Sequence, residues 1–166
     1  MSDELQLSNG VLAFRGYNVT NMGRSRELLQ HDVYGPLVQQ ALKEASEVCE
    51  SVVERKVVLV GRVERGEDTT LEVYDEAIAL IVSMEIAQLK LLSEFHGIDY
   101  SQARVSIGFS LGEISALVAG GVYETSDAIR IPLAMAADCA DLAKNVSMGV
   151  LFSRGDSISS DRVREV

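Results

Sequence analysis

A serine bracketed by glycines, Gly108-Phe109-Ser110-Leu111-Gly112, lies between a short strand pattern and a helical one. It constrains this chain more than any other stretch. Val105 and Ile107 are apolar and lead into it as a short buried strand. Ile114, Leu117 and Val118 follow at helical spacing, with Ala116 and Ala119 small enough for tight packing. The G-x-S-x-G spacing predicts a nucleophile elbow, in which a side chain on a sharp strand-to-helix turn stands clear of the backbone. Small flanking residues let neighbouring elements approach. The Ser110 hydroxyl would then sit at a helix N-terminus, where free N–H groups and the helix dipole favour a developing oxyanion. Glu113 falls in the first helical turn, where its charge suits the dipole, and no catalytic step is assigned to it. The alternative is a glycine-bounded turn whose serine merely caps the helix.

The rest of the chain supplies a frame. Val11 to Phe14 reads as a buried first strand ending at Arg15-Gly16, followed by a loop to Gly23 and a helix over Arg24 to Gln30. Tyr34-Gly35-Pro36 is a turn, and Leu37 to Glu54 has an apolar helical face. The β-branched run Val57 to Val63 reads as a strand, and Arg65 to Thr70 as a charged, solvated turn. Asp75 to Phe95 is the longest helical pattern, with an apolar face broad enough for a buried helix and a stop at His96-Gly97. Thr125-Ser126-Asp127 signals a helix to about Lys144, with Pro132 acceptable only near a kink. Val146 to Phe152 reads as a strand and Ser159 to Val166 as the start of a helix.

At 166 residues, with 47% hydrophobic and 24% charged residues, the chain suits one soluble globular domain with a sizeable core. A net charge of −10 argues against nonspecific binding to nucleic acid or an anionic membrane. Cys49 and Cys139 form no metal-ligand spacing and no evident disulfide framework, so no metal is expected and a reducing, cytoplasmic setting is the simplest reading. No signal-peptide pattern opens the chain, and no apolar stretch is long enough to span a membrane.

The block from Gly108 to Val122 resembles the serine block of the malonyl-CoA:acyl carrier protein transacylases and of the acyltransferase domains of polyketide and fatty acid synthases. That block usually reads G-H-S-L-G-E-x-S-A-L-x-x-A-G. Glu113, Ser115 and Gly120 recur in register. The resemblance implies an α/β fold with a mostly parallel sheet flanked by helices, an acyltransferase large subdomain over residues 1–145. The beginning of a small ferredoxin-like subdomain would follow at 146–166. It implies acyl transfer from an acyl-CoA to the phosphopantetheine thiol of an acyl carrier protein, with no bound cofactor. Ser110 would be the nucleophile, and the backbone N–H groups of Leu111 and Tyr17 the oxyanion donors.

Departures from the family pattern fall on the same site. The family's first strand ends in F-P-G-Q-G-S-Q, followed by a G-M-G-like segment. Phe14, Gly16, Met22 and Gly23 keep that outline, but Arg15 replaces the proline and Tyr17 the first glutamine. Phe109 stands where the family has histidine. Asp75 stands near the family's glutamine at the entrance to the long helix, where its charge would repel an anionic acyl group, unless it serves as the helix N-cap. Met135 takes the place of the arginine that clamps a malonyl carboxylate, which favours a neutral acyl group; plain core packing is its alternative. A serine hydroxyl is a weak nucleophile without a base. Only His31 and His96 exist here, and a surface role is expected for both. The family's catalytic histidine lies downstream, in a region this sequence does not contain, so the resemblance implies a fragment covering the first half of a family member. A non-catalytic acyltransferase-like binding module and a serine esterase or thioesterase are the alternative functions.

Overall fold

The structure, a computed structural model, describes residues 7–17, 21–146 and Asp161. A 3-10 turn at Leu7–Asn9 precedes β1 (Val11–Phe14). Then come α1 (Met22–Gln30), α2 (Gly35–Val53), α3 (Leu59–Arg65) and a 3-10 turn at Leu71–Val73. The long helix α4 (Tyr74–His96) is followed by a 3-10 turn at Tyr100–Gln102, β2 (Val105–Gly108), α5 (Gly112–Ala119), α6 (Thr125–Leu133) and α7 (Ala136–Ala143).

The expected mostly parallel sheet flanked by helices is not what these residues form. The described residues make seven α-helices and a sheet of two parallel strands. The acyltransferase large-subdomain architecture is therefore corrected to a helical assembly that carries one small parallel β-pair. One reason is local. The run Val57 to Val63 was expected as a strand, yet Leu59 begins α3. Leu59 and Val63 are one helical turn apart and both fully buried, so a helix hides them on one face. Packing overrides the β-preference of the valines there. The expected strand at 146–152, the helix at 159–166 and the small-subdomain boundary lie outside the described residues, save Val146 and Asp161.

The β-pair joins Val11 to Val105 and Phe14 to Gly108 in parallel register, with α1 to α4 in the connection between the strands. Phe14 is buried and Leu12 half-buried, on the face packed towards the core. Val11, Val105 and Ile107 are exposed on the other face, so neither strand is the fully buried one expected.

The core is organised on α4, which packs against α2, α5, α6 and α7. Ile78, Ala79, Leu80 and Ile81 are all buried although, being consecutive, they point around the whole helix circumference. A helix apolar on nearly every side is stable only at the centre of its neighbours. Gly97, at φ 64°, ends α4 where His96-Gly97 predicted a stop. The single helix expected from Thr125 to Lys144 is two. Pro132 lies inside α6 and lacks the N–H that would continue the ladder. The chain tightens behind it, with Met135 N–H donating to the Pro132 carbonyl at 3.1 Å, and α7 restarts at Ala136.

Burial in α2 pushes the Cys49 thiol up to about 12, whereas Cys139 is exposed. Because the thiolate is the reactive form, a disulfide reagent near neutral pH should titrate one thiol in the folded protein and two after denaturation. Two rapid reactions in the folded state would contradict the placement of Cys49.

Candidate active site

The loop between β2 and α5 holds Ser110 at φ 55°, in the left-handed region that costs a non-glycine residue about 1–2 kcal/mol. The surroundings enforce that turn. The Phe109 N–H donates to the Phe14 carbonyl at 3.1 Å, extending the strand ladder to the residue before the serine. Directly afterwards the helix is wound tightly. Gly112 N–H bonds to Phe109 O at 3.0 Å, Glu113 N–H to Ser110 O at 2.9 Å and Ile114 N–H to Leu111 O at 3.1 Å. A Cβ on Gly108 would lie 2.2 Å from the Gly112 carbonyl carbon, and one on Gly112 would lie 2.4 Å from the Phe14 oxygen. Only glycine permits this close approach.

Ser110 is exposed, and α5 has no side-chain cap hydrogen bond. The capping alternative for this serine therefore finds no support. Leu111 is buried, and among the described residues its amide donates to no recorded acceptor. That amide follows the serine and belongs to the first turn of α5, at the positive end of the helix dipole.

The loop after β1 comes up beside this turn. A Cβ on Gly16 would stand 3.0 Å from the Phe109 carbonyl oxygen and 3.2 Å from the Ser110 Cβ. Tyr17 is the next residue, so its backbone is brought near the serine. Its ring packs edge-to-face on Tyr74 at 4.9 Å between centroids, and burial raises its phenol, with a further push from Asp68. The backbone amide of Tyr17 has no recorded acceptor among the described residues.

The other expected site residues are placed differently. Phe109 is 69% exposed and flanks the serine directly, an apolar surface beside the hydroxyl. Asp75 is not the N-cap of α4; Val73 is, without a side-chain bond. Asp75 instead lies inside the first turn, where both its oxygens take hydrogen bonds from Arg55 Nη2, at 2.7 and 2.8 Å. It lines an open recess of about 550 Å³ with Tyr74, Leu133, Ala134, Ala136 and Ala140. The Arg55 partner offsets the negative charge that would have repelled an anionic group. Met135 sits exposed at the α6–α7 break beside that recess and is not core packing.

Both histidines gather around Tyr34. His31 Nδ1 accepts from the Val33 and Tyr34 amides at 3.2 Å and its ring stacks on Tyr34, while His96 Nε2 meets the Tyr34 hydroxyl at 3.0 Å. His96 ends the helix that feeds the start of β2, whereas Ser110 lies past the end of that strand. Neither imidazole makes a recorded contact with the serine, in keeping with the surface role expected for them.

One buried acid was missed by sequence reasoning. Glu85, in the middle of α4, is 7% exposed. Its Oε1 accepts the Arg15 amide at 3.1 Å, and the Arg15 Nε lies 3.9 Å away. Desolvation raises its pKa, partly offset by the neighbouring Ser115 hydroxyl and then by Arg15. Glu85 Oε2 and Ser115 Oγ are both buried and make no well-formed hydrogen bond among the described residues. The available signal was a lone carboxylate inside an apolar run, Ser83-Met84-Glu85-Ile86-Ala87.

Among the described residues there is no cluster of His, Cys, Asp and Glu able to hold a metal ion, and no helix is long and apolar enough to cross a membrane. Compared with known proteins, the chain matches no family model, no curated protein and no solved structure.

Proposed function

We propose that this chain is an acyltransferase module in which Ser110 carries an acyl group from an acyl-CoA to the phosphopantetheine thiol of an acyl carrier protein. The observation that carries the reading is the exposed Ser110 on a left-handed turn, ahead of a Leu111 amide with no acceptor among the described residues. A strained side chain that makes no capping bond is what a nucleophile elbow requires, and such strain clusters at functional sites. The serine block gives the chemistry: Ser110 Oγ attacks the thioester carbonyl, the C–S bond breaks and CoA leaves as its thiol. The pantetheine thiol then attacks the serine ester and releases the hydroxyl. Leu111 N–H and Tyr17 N–H stabilise the oxyanion in both steps. Met135, at the arginine position, favours a neutral acyl group, and Phe109 offers it an apolar wall. Thioester exchange of this kind belongs in a reducing, cytoplasmic setting.

The proton from Ser110 has no imidazole to go to in this chain, since both histidines are held at Tyr34. It passes through solvent to the departing thiolate. Acylation is therefore slow, and free imidazole should accelerate it by general base catalysis. That same observation favours a second reading, a non-catalytic acyltransferase-like module that docks a carrier protein.

The test is incubation with acetyl-CoA and malonyl-CoA, with and without imidazole, followed by holo acyl carrier protein. Acyl-carrier product, faster with imidazole and with acetyl than with malonyl, is expected. Free acid without carrier product would make the chain a hydrolase. Carrier binding without any acylation would leave the docking module.

A further inference from the structure

We infer that Glu85 is a positioning residue for this reaction: its buried carboxyl fixes the Arg15–Gly16–Tyr17 loop against the elbow, and so places the second oxyanion donor. The inference rests on the acyl-transfer reading for its functional part, while its structural part stands on separate geometry.

The Arg15 peptide is gripped from two sides. Its N–H donates to Glu85 Oε1 at 3.1 Å. Its carbonyl oxygen lies so near Gly112 that a Cβ there would come within 2.6 Å of it. The next residue, Gly16, stands against the Phe109 carbonyl and the Ser110 Cβ. The path of the chain from Phe14 to Tyr17 is thus set by α4 on one side and by the start of α5 on the other. Removing the Glu85 carboxyl takes away the bond that pulls the Arg15 amide against α4. The loop would then hold its path less tightly, and the Tyr17 amide with it.

Ser115 completes the arrangement. It is fully buried on the elbow helix, and its hydroxyl and Glu85 Oε2 are the two neighbouring buried oxygens without a hydrogen bond. The Ser115 hydroxyl brings its own proton, and a carboxylate oxygen beside it can accept that proton. Oε1 then holds the Arg15 N–H while Oε2 faces the Ser115 O–H. The carboxyl then ties the loop after β1 to α5 through α4. Glutamine can keep both links, accepting the Arg15 N–H with Oε1 and donating from Nε2 to the Ser115 oxygen. Methionine, of similar volume, can make neither.

The experiment compares Glu85→Gln and Glu85→Met with the wild type in single-turnover acylation by acetyl-CoA, and measures hydrogen exchange at the Arg15 amide. Glu85→Met is expected to lower the limiting acylation rate by about 10- to 100-fold, the scale of a displaced donor. The half-saturating acetyl-CoA concentration should stay within about twofold, and Arg15 should lose its exchange protection. Glu85→Gln should keep both the rate and the protection. If Glu85→Met does not fold, Glu85→Asp, which shortens the reach, should give the same loss. Wild-type rates in the methionine variant, or an Arg15 amide that exchanges freely in the wild type, would overturn the inference. If the wild type never acylates, the acyl-transfer reading fails, and the exchange data still decide whether Glu85 holds the loop.

Discussion

Gly112→Ala is expected to lower the stability of this protein by about 3 kcal/mol, the upper end of what overpacking costs. Helix propensity alone predicts the opposite, since alanine is better than glycine inside a helix by about 1 kcal/mol. Position decides the sign. The added methyl would lie 2.4 Å from the Phe14 oxygen, 2.6 Å from the Phe14 carbonyl carbon and 2.6 Å from the Arg15 oxygen. All three are backbone atoms of β1 and its exit loop, which no rotamer change can move aside. Either α5 or β1 must shift, and the shift opens the packing that places Ser110. Gly23→Ala is the control: a Cβ there meets nothing within 4 Å, in helix α1. It should leave stability unchanged or raise it by up to about 1 kcal/mol. Urea unfolding midpoints of the two variants check the contrast. A Gly112→Ala protein as stable as the wild type would mean that α5 and β1 are not in contact.

The second large effect lies away from the serine, at the N-terminus of α4. Glu76 is buried there between two arginines. Its Oε1 accepts from Arg55 Nη1 at 2.6 Å, and its Oε2 accepts from Arg62 Nε at 2.8 Å and pairs with Arg62 Nη2 at 2.7 Å. The Arg62 side chain is only 16% exposed, against 40% for Arg55. Glu76→Ala would leave Arg62 with one hydrogen-bond acceptor among the described residues, the Asp68 carbonyl at 3.0 Å, and with the fully exposed, solvent-screened Glu67 as counter-charge. An uncompensated, mostly buried guanidinium costs about 3 kcal/mol or more. Arg55→Ala should cost less, about 1 kcal/mol, because that side chain is partly solvated and Glu76 keeps Arg62. Thermal unfolding of the two variants reads the order. A Glu76→Ala protein losing no more than the Arg55→Ala protein would contradict the arrangement.

Of these two sites the sequence made only the first legible. The elbow could be read because its requirements are steric and local: glycine at 108 and 112, an apolar strand before, a helical period after. The structure meets the glycine requirement with close backbone approaches at both positions, and the strand before the turn, though present, is largely exposed. Helix α4 was legible because its apolar residues cover most of its circumference and Gly97 stops it. The sheet was not, because it was expected from resemblance rather than from periodicity, and the described residues form only one parallel pair. Val57-Val58-Leu59-Val60 is an apolar run with no period, so strand and helix could not be told apart there. Only its packing makes Leu59 and Val63 a helical pair. Asp75 looked like a cap because aspartate caps well, but nothing local showed that Arg55, 20 residues earlier, would claim its carboxylate. Glu85 has the same origin, since its partner lies 70 residues away in the chain. A lone carboxylate in an apolar run marks such a residue, but nothing local names its distant partner.

The most direct test of the account is peptide mass spectrometry of the protein after exposure to acetyl-CoA. The account predicts one acetyl group on the peptide containing Ser110, lost on treatment with hydroxylamine and absent from Ser110→Ala. An unmodified Ser110 peptide, or an acetyl group that persists in Ser110→Ala, would contradict it.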